Sequence, residues 1–241
     1  KNNKMANSYF QFKQFTVYHD QCGMKVGTDG VLLGAWAEIR GAQNILDIGT
    51  GTGLIALMMA QRSTAMVDGV EVDSSAYEQA RANIAHCPWN EKITLFHQSF
   101  QSFARESQKR YDLISTNPPY FSNSHFTPEQ KRTDARHDHK LNFEEILLGS
   151  SQTMNSNGRL NIILPAHSAK TFEAKAQKYN FWCTRKTYVK PTPHKDPKRV
   201  LVEFSTKKEP LREDYLVIET HKRHHYTKEY KELTKKFYLN F

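Results

Sequence analysis

Cysteine is scarce in this chain: its 241 residues hold only Cys22, Cys87 and Cys183, widely spaced and without a C-x-x-C pair. That pattern excludes a disulfide-stapled scaffold and a thiolate zinc site, and it suits a reducing cytoplasm. No stretch approaches the roughly 18 unbroken apolar residues of a membrane span. The opening residues KNNKMANSYFQF lack the apolar core and small-residue cleavage site of a secretory leader. A cytoplasmic protein with no membrane partner is therefore expected. Internal repeats and low-complexity tracts are missing too, which excludes repeat architectures. No G-K-[ST] follows the chain's glycine-rich loop, so a P-loop is excluded. Histidine is plentiful at 11 residues, but neither the RHDH stretch nor His221, His224 and His225 combines i, i+4 spacing with a third ligand. No metal site is expected.

What is present describes one large soluble domain with room for a small appendage. Hydrophobic residues make up 38% and charged residues 24%, ordinary values for a globular protein with a substantial core. The formal charge of +9 gives a positive field that attracts polyanions such as RNA or DNA.

From residue 44 onward, apolar strand-like runs alternate with helical periodicity, the pattern of parallel β-α units. NILDIG, MVDGVEV, KITLFH, YDLIST and RLNIILP read as five successive strands, the fifth entered through a turn at Gly158. FWCTRKTYV and RVLVEFST are joined by a short Pro- and Lys-rich loop, which predicts a hairpin. The expected fold class is α/β: a Rossmann-like, seven-stranded, mostly parallel sheet with helices on both faces and an antiparallel strand near one edge. The closing stretch YTKEYKELTKKFYLNF reads as a basic surface helix with an aromatic end.

In LDIGTGTGL a strand ends at Asp47, and Gly49, Gly51 and Gly53 lead into a helix. Glycines there let the backbone turn sharply and approach a ligand, and the helix start offers free N–H groups. The third glycine of a dinucleotide fingerprint is replaced by Leu54. Asp47 would repel a pyrophosphate but pair with an ammonium, which favours S-adenosylmethionine. Glu71, ending the second strand beside Val72, is placed to accept ribose hydroxyls; Asp73 is the alternative, or a cap for the helix that follows.

STNPPYF, residues 115 to 121, follows the fourth strand. Together with DIGTGTG it resembles the class I S-adenosylmethionine-dependent methyltransferases over about residues 12 to 206, and NPPY resembles the signature of their amino-methylating branch. An amino nitrogen on a planar ring or amide is a poor nucleophile because its lone pair is delocalised. Asn117 and the Pro118 carbonyl can each accept one N–H and turn the lone pair toward the methyl donor, while Pro119 stiffens Pro118. Tyr120 is expected to stack on the planar substrate. The expected catalytic residues are thus Asn117, Pro118 and Tyr120.

MKVGTDGVLLGAWA, just before the cofactor loop, resembles the bacterial valine-tRNA adenine-37 N6-methyltransferase family. That resemblance implies a tRNA substrate, a monomer without an obligate protein partner, and three regions. Residues 1–30 would cover the cofactor site, residues 31–206 would form the methyltransferase domain, and residues 207–241 would form a basic extension. It also implies that Lys25 to Gly30 form a turn over the cofactor, with Thr28 and Asp29 near its methionine end, and that Lys25, Thr28 and Asn117 are among the cofactor-binding residues. Gln98 and Ser99 stand where many relatives carry an adenine-binding Asp. Arg185, Lys186, Lys190, Lys195, Lys198 and Arg199, in a basic hairpin with Tyr188 and His194, are candidates for holding RNA, and HKRHHYTKEYKELTKK adds a second basic surface. Two rival readings are a protein glutamine-amide N5-methyltransferase, which NPPY also serves, and a non-catalytic RNA-binding module of the same fold.

Overall fold

The computed structural model of the chain describes residues 7–23, 25–119 and 141–241. A short antiparallel hairpin, β1 (Tyr9–Gln11) and β2 (Thr16–Tyr18), precedes helix α1 (Thr28–Trp36). The β-α units then follow in order: β3 (Asn44–Ile48), α2 (Leu54–Arg62), β4 (Met66–Glu71), α3 (Ser74–Ala85), β5 (Ile93–His97), α4 (Phe100–Glu106) and β6 (Tyr111–Thr116). After residue 141 come α5 (Phe143–Thr153), β7 (Met154–Pro165), α6 (Ala169–Ala176), β8 (Trp182–Lys190), β9 (Arg199–Ser205), β10 (Arg212–Val217) and α7 (Lys228–Thr234).

The main sheet has the strand order β10-β8-β9-β7-β6-β3-β4-β5. Only β9 runs against its neighbours, and the β8–β9 pair is the expected hairpin. Order reverses between β3 and β6, so the carboxyl ends of these two strands frame the crevice in which open α/β sheets bind ligands.

Side chains alternate between two cores. Ile45, Leu113, Ile163 and Leu201 pack toward α1 and α2, among Leu33, Leu57 and Met58. Leu46, Ile114, Ile162 and Val202 face α4, α5 and α6, among Phe103, Leu147 and Phe172. Because both faces are covered, adjacent strand residues such as Ile45 and Leu46 of β3 are both buried, one in each core.

Three details depart from the sequence reading. The sheet has eight strands, not seven: β10, with sequence REDYLV, pairs parallel to β8 from Arg212↔Arg185 to Val217↔Lys190. Its charged face is exposed and only Leu216 is buried, as suits an edge strand guarded against further pairing. Gly158 lies within β7, where pairing jumps from Tyr111↔Met154 to Leu113↔Arg159. The turn is thus a bulge in the strand, and a Cβ at Gly158 would sit 2.2 Å from Met154 Cγ. The C-terminal aromatic end is not a surface feature: Tyr230 and Phe237 are buried, and Phe237 O accepts from Lys13 N at 2.8 Å, joining the tail to the N-terminal hairpin. Among the described residues no helix is long and apolar enough to cross a membrane.

Candidate active site

A cavity of about 790 Å³ opens at the carboxyl ends of β3, β4 and β6, within the roughly 300–1,000 Å³ of small-molecule sites. Its floor is the loop between β3 and α2. Gly49, Gly51 and Gly53 have φ of 65°, 56° and 82°, left-handed values that side chains oppose. A Cβ at Gly49 would meet nothing within 4 Å, so backbone conformation rather than lack of space selects glycine there. Gly49 N and Thr50 N donate to Val70 O, fixing the loop against β4.

The two acids of the motif take different places. Glu71 borders the cavity, and its carboxylate accepts from Gly51 N at 2.8 Å and from Val72 N and Asp73 N at 2.9 Å. A carboxylate has about four lone-pair directions, so one on Oε2 remains for a ligand hydroxyl. Asp47 does not line the cavity: it is fully buried beneath the loop, where its Oδ2 accepts from the Thr50 hydroxyl at 2.6 Å. Burial pushes its pKa up to about 7, opposed by the Thr50 hydrogen bond. Its Oδ1 has no hydrogen-bond partner among the described residues, so the buried carboxyl retains acceptor capacity beside the loop. Gly53 also lies off the cavity, where an added Cβ would lie 3.5 Å from the side chains of Ala80 and Ile84 of α3.

The remaining expected residues converge on this cavity. Lys25, Thr28, Val72, Gln98, Ser99, Asn117, Pro118 and Pro119 all line it. Thr116 Oγ1 donates to Ile48 O at 3.0 Å, pinning the exit of β6 to that of β3. Tyr120 and the RHDH stretch lie outside the described residues. Ser99 is the N-cap of α4, its hydroxyl accepting from Ser102 N at 3.2 Å, so capping already engages it. Asp73 caps α3 by accepting from Ala76 N, which is its structural alternative in the sequence reading.

Sequence reasoning missed the support of the cavity. Asn83 is buried within α3, where its amide donates to Tyr18 O and Thr52 O and accepts from Tyr18 N, all at 2.9 Å. Gln79, one turn earlier, accepts from Gln21 N. The two clasp residues 18–21, which lead into Cys22 and Gly23 on the cavity wall. Asparagine in a helix interior was the available signal, since it competes with helix for backbone hydrogen bonds.

The basic hairpin divides. Arg185 lies over the Trp36 ring at 3.6 Å, donates to Trp36 O and pairs with the buried Glu203. Lys186 is buried between Glu173 and Glu213. Both are taken up by internal contacts, because both faces of β8 are packed against other elements. Arg199 Nε pairs with Asp29 Oδ2 at 2.8 Å. Lys195 and Lys198 are exposed, and Lys190 is half-buried. Among the described residues no group of three or more His, Cys, Asp and Glu could hold a metal.

Residues 26–189 match the family model of the small methyltransferase domain. A tRNA1(Val) (adenine(37)-N6)-methyltransferase from Bacteroides thetaiotaomicron is 45% identical, with 98% of this chain and 99% of that protein covered. Its counterpart in Phocaeicola vulgatus is 46% identical, covering 98% and 100%. Among solved structures, a predicted O-methyltransferase from Agrobacterium tumefaciens superposes with a TM-score of 0.69 at 21% identity, over 87% of this chain and 96% of that one. Fold, glycine loop and near full-length identity converge: this chain belongs to the small-domain methyltransferase family that includes the bacterial tRNA1(Val) (adenine(37)-N6)-methyltransferases.

Proposed function

We propose that this chain transfers a methyl group from S-adenosylmethionine to N6 of an unpaired adenine, adenine 37 of valine tRNA, acting as a cytoplasmic monomer. One observation carries the reading: the glycine loop, Glu71 and Asn117-Pro118 border a single cavity. The names of the relatives and the formal charge of +9 support an RNA substrate.

When bound, S-adenosylmethionine supplies a methyl group on a sulfonium centre, already activated for displacement. The residues present fit such a ligand. Glu71 offers its remaining acceptor direction to a ribose hydroxyl, and Val72, Gln98 and Ser99 border the end proposed for the adenine ring. Lys25 and Thr28 border the amino-acid end, and the buried Asp47 carboxyl, with Oδ1 to spare, favours a cationic ammonium nearby.

The target base is unpaired in an anticodon loop and can be splayed into the cavity at small cost. Asn117 accepts one amino N–H and the Pro118 carbonyl the other, which orients the nitrogen lone pair toward the methyl carbon. Alignment would then do most of the catalysis, and one amino proton would pass to solvent water after positive charge develops on nitrogen. In this reading residues 1–30 cover the cofactor, residues 31–206 carry the chemistry and residues 207–241 extend the basic surface.

The test is radiolabelled methyl transfer to total tRNA and to a translation release factor, followed by mass mapping of nucleosides. Label in tRNA as N6-methyladenosine at the anticodon loop is expected. Label in the release factor alone would establish the glutamine-amide reading, and label in neither the non-catalytic one.

A further inference from the structure

The eighth strand, which the sequence pattern does not announce, brings together two basic segments lying far apart in the chain. Because β10 pairs parallel to β8, both strands end at the same edge of the sheet. Ile218 N then donates to Lys190 O and Glu219 N to Pro191 O, each at 2.9 Å, fastening the segment after β10 to the β8–β9 loop. The His194 and His221 rings meet with centroids 5.0 Å apart. Past that contact the chain turns at His224, with a φ of 64° and its N–H donating to Glu219 Oε1, so the turn is held rather than loose.

The joined surface carries Lys190, Lys195 and Lys198 from one segment and Lys222 and Arg223 from the other, against the acids Asp196 and Glu219. No ion pair within 4 Å engages any of those five cations among the described residues. The surface also abuts the cavity. Arg199, at the end of the same loop, grips Asp29, which lines the cavity wall, and Ala166 N donates to Lys198 O at 3.2 Å. Positive charge on a braced ledge beside a pocket for a flat base suits the sugar-phosphate chain flanking that base.

We infer that the loop 190–198 and the turn 219–225 form one composite surface that holds the phosphates of the substrate RNA while its target base enters the cavity. The assignment rests on the tRNA reading above, and it joins the hairpin loop and the start of the second basic segment into one grip. Arg185 and Lys186 have no part in it.

The test compares two charge reversals, Lys195→Glu/Lys198→Glu and Lys222→Glu/Arg223→Glu, with a control pair, Arg110→Glu/Lys207→Glu, exposed at the opposite end of the sheet. Binding of unmodified valine tRNA is measured across a salt series, with S-adenosylmethionine binding alongside. Each reversed pair is expected to weaken tRNA at least about tenfold at low salt and to flatten the log-log salt slope by about 1 to 2. Cofactor affinity and the control pair should match wild type. If wild type methylates tRNA while the turn pair binds it with wild-type affinity and slope, the composite surface is overturned and the enzymatic reading stands. Wild type that neither binds nor methylates tRNA overturns both.

Discussion

The side chain of Asn83 ties the cofactor loop to the N-terminal segment, donating to Thr52 O at 2.9 Å while also bonding both backbone groups of Tyr18. Thr52 lines the cavity, and the Tyr18 segment leads to Cys22 and Gly23, which line it too. One buried amide thus holds the glycine loop and the Tyr18 segment in register. Asn83→Ala leaves three backbone groups without partners, and a buried unmet group costs about 1–3 kcal/mol. Denaturant unfolding should show a loss in that range or above, and calorimetry a weaker S-adenosylmethionine affinity. Unchanged affinity would remove Asn83 from the support of the site.

Asn117 stands in the cavity with Pro118 and Pro119, bordering the same space as the glycine loop. Asn117→Ala is expected to lower kcat by about 100-fold or more, the scale on which one positioned polar group acts, with cofactor binding largely kept. Single-turnover methylation of valine tRNA separates the two effects. A variant as fast as wild type would refute the proposed role.

Asp47 gives a pH signature. Burial raises its folded pKa from 3.8 to about 7, so between those values the folded state binds more protons than the unfolded one. Its contribution to stability is complete at low pH and is lost as pH rises from about 4 to about 7. Asp47→Asn keeps the shape and removes the titration. Urea melts at pH 5 and pH 7.5 should find the variant gaining on wild type at the higher pH, and equal differences at both values would contradict the burial argument.

Arg185 rests on the Trp36 ring, and Trp36 Nε1 donates to Thr187 Oγ1 at 2.7 Å. Arg185→Ala removes the cation–π contact and strands the carboxylate of Glu203, only 4% exposed, at a cost on the order of 2 kcal/mol or more. Thermal melting should register that loss, while the salt slope of tRNA binding stays at the wild-type value. A flattened slope would return Arg185 to the RNA-facing set.

The sequence alone determined what depends on local backbone chemistry. Left-handed turns at Gly49, Gly51 and Gly53, a rigid Pro118-Pro119 strand exit and the period of alternating strands and helices are each written in neighbouring residues. They were enough to give the parallel α/β sheet and to mark the loops that share its cavity. Tertiary structure decided what depends on partners distant in the chain. Asp47 lies under the loop rather than on the cavity because packing closed over it, and Arg185 finds Trp36 149 residues away. REDYLV became a strand only because β8 offered it an open edge, and that pairing set His221 against His194. Local stereochemistry travels with the residues, whereas burial, pairing and shared surfaces exist only once remote segments meet.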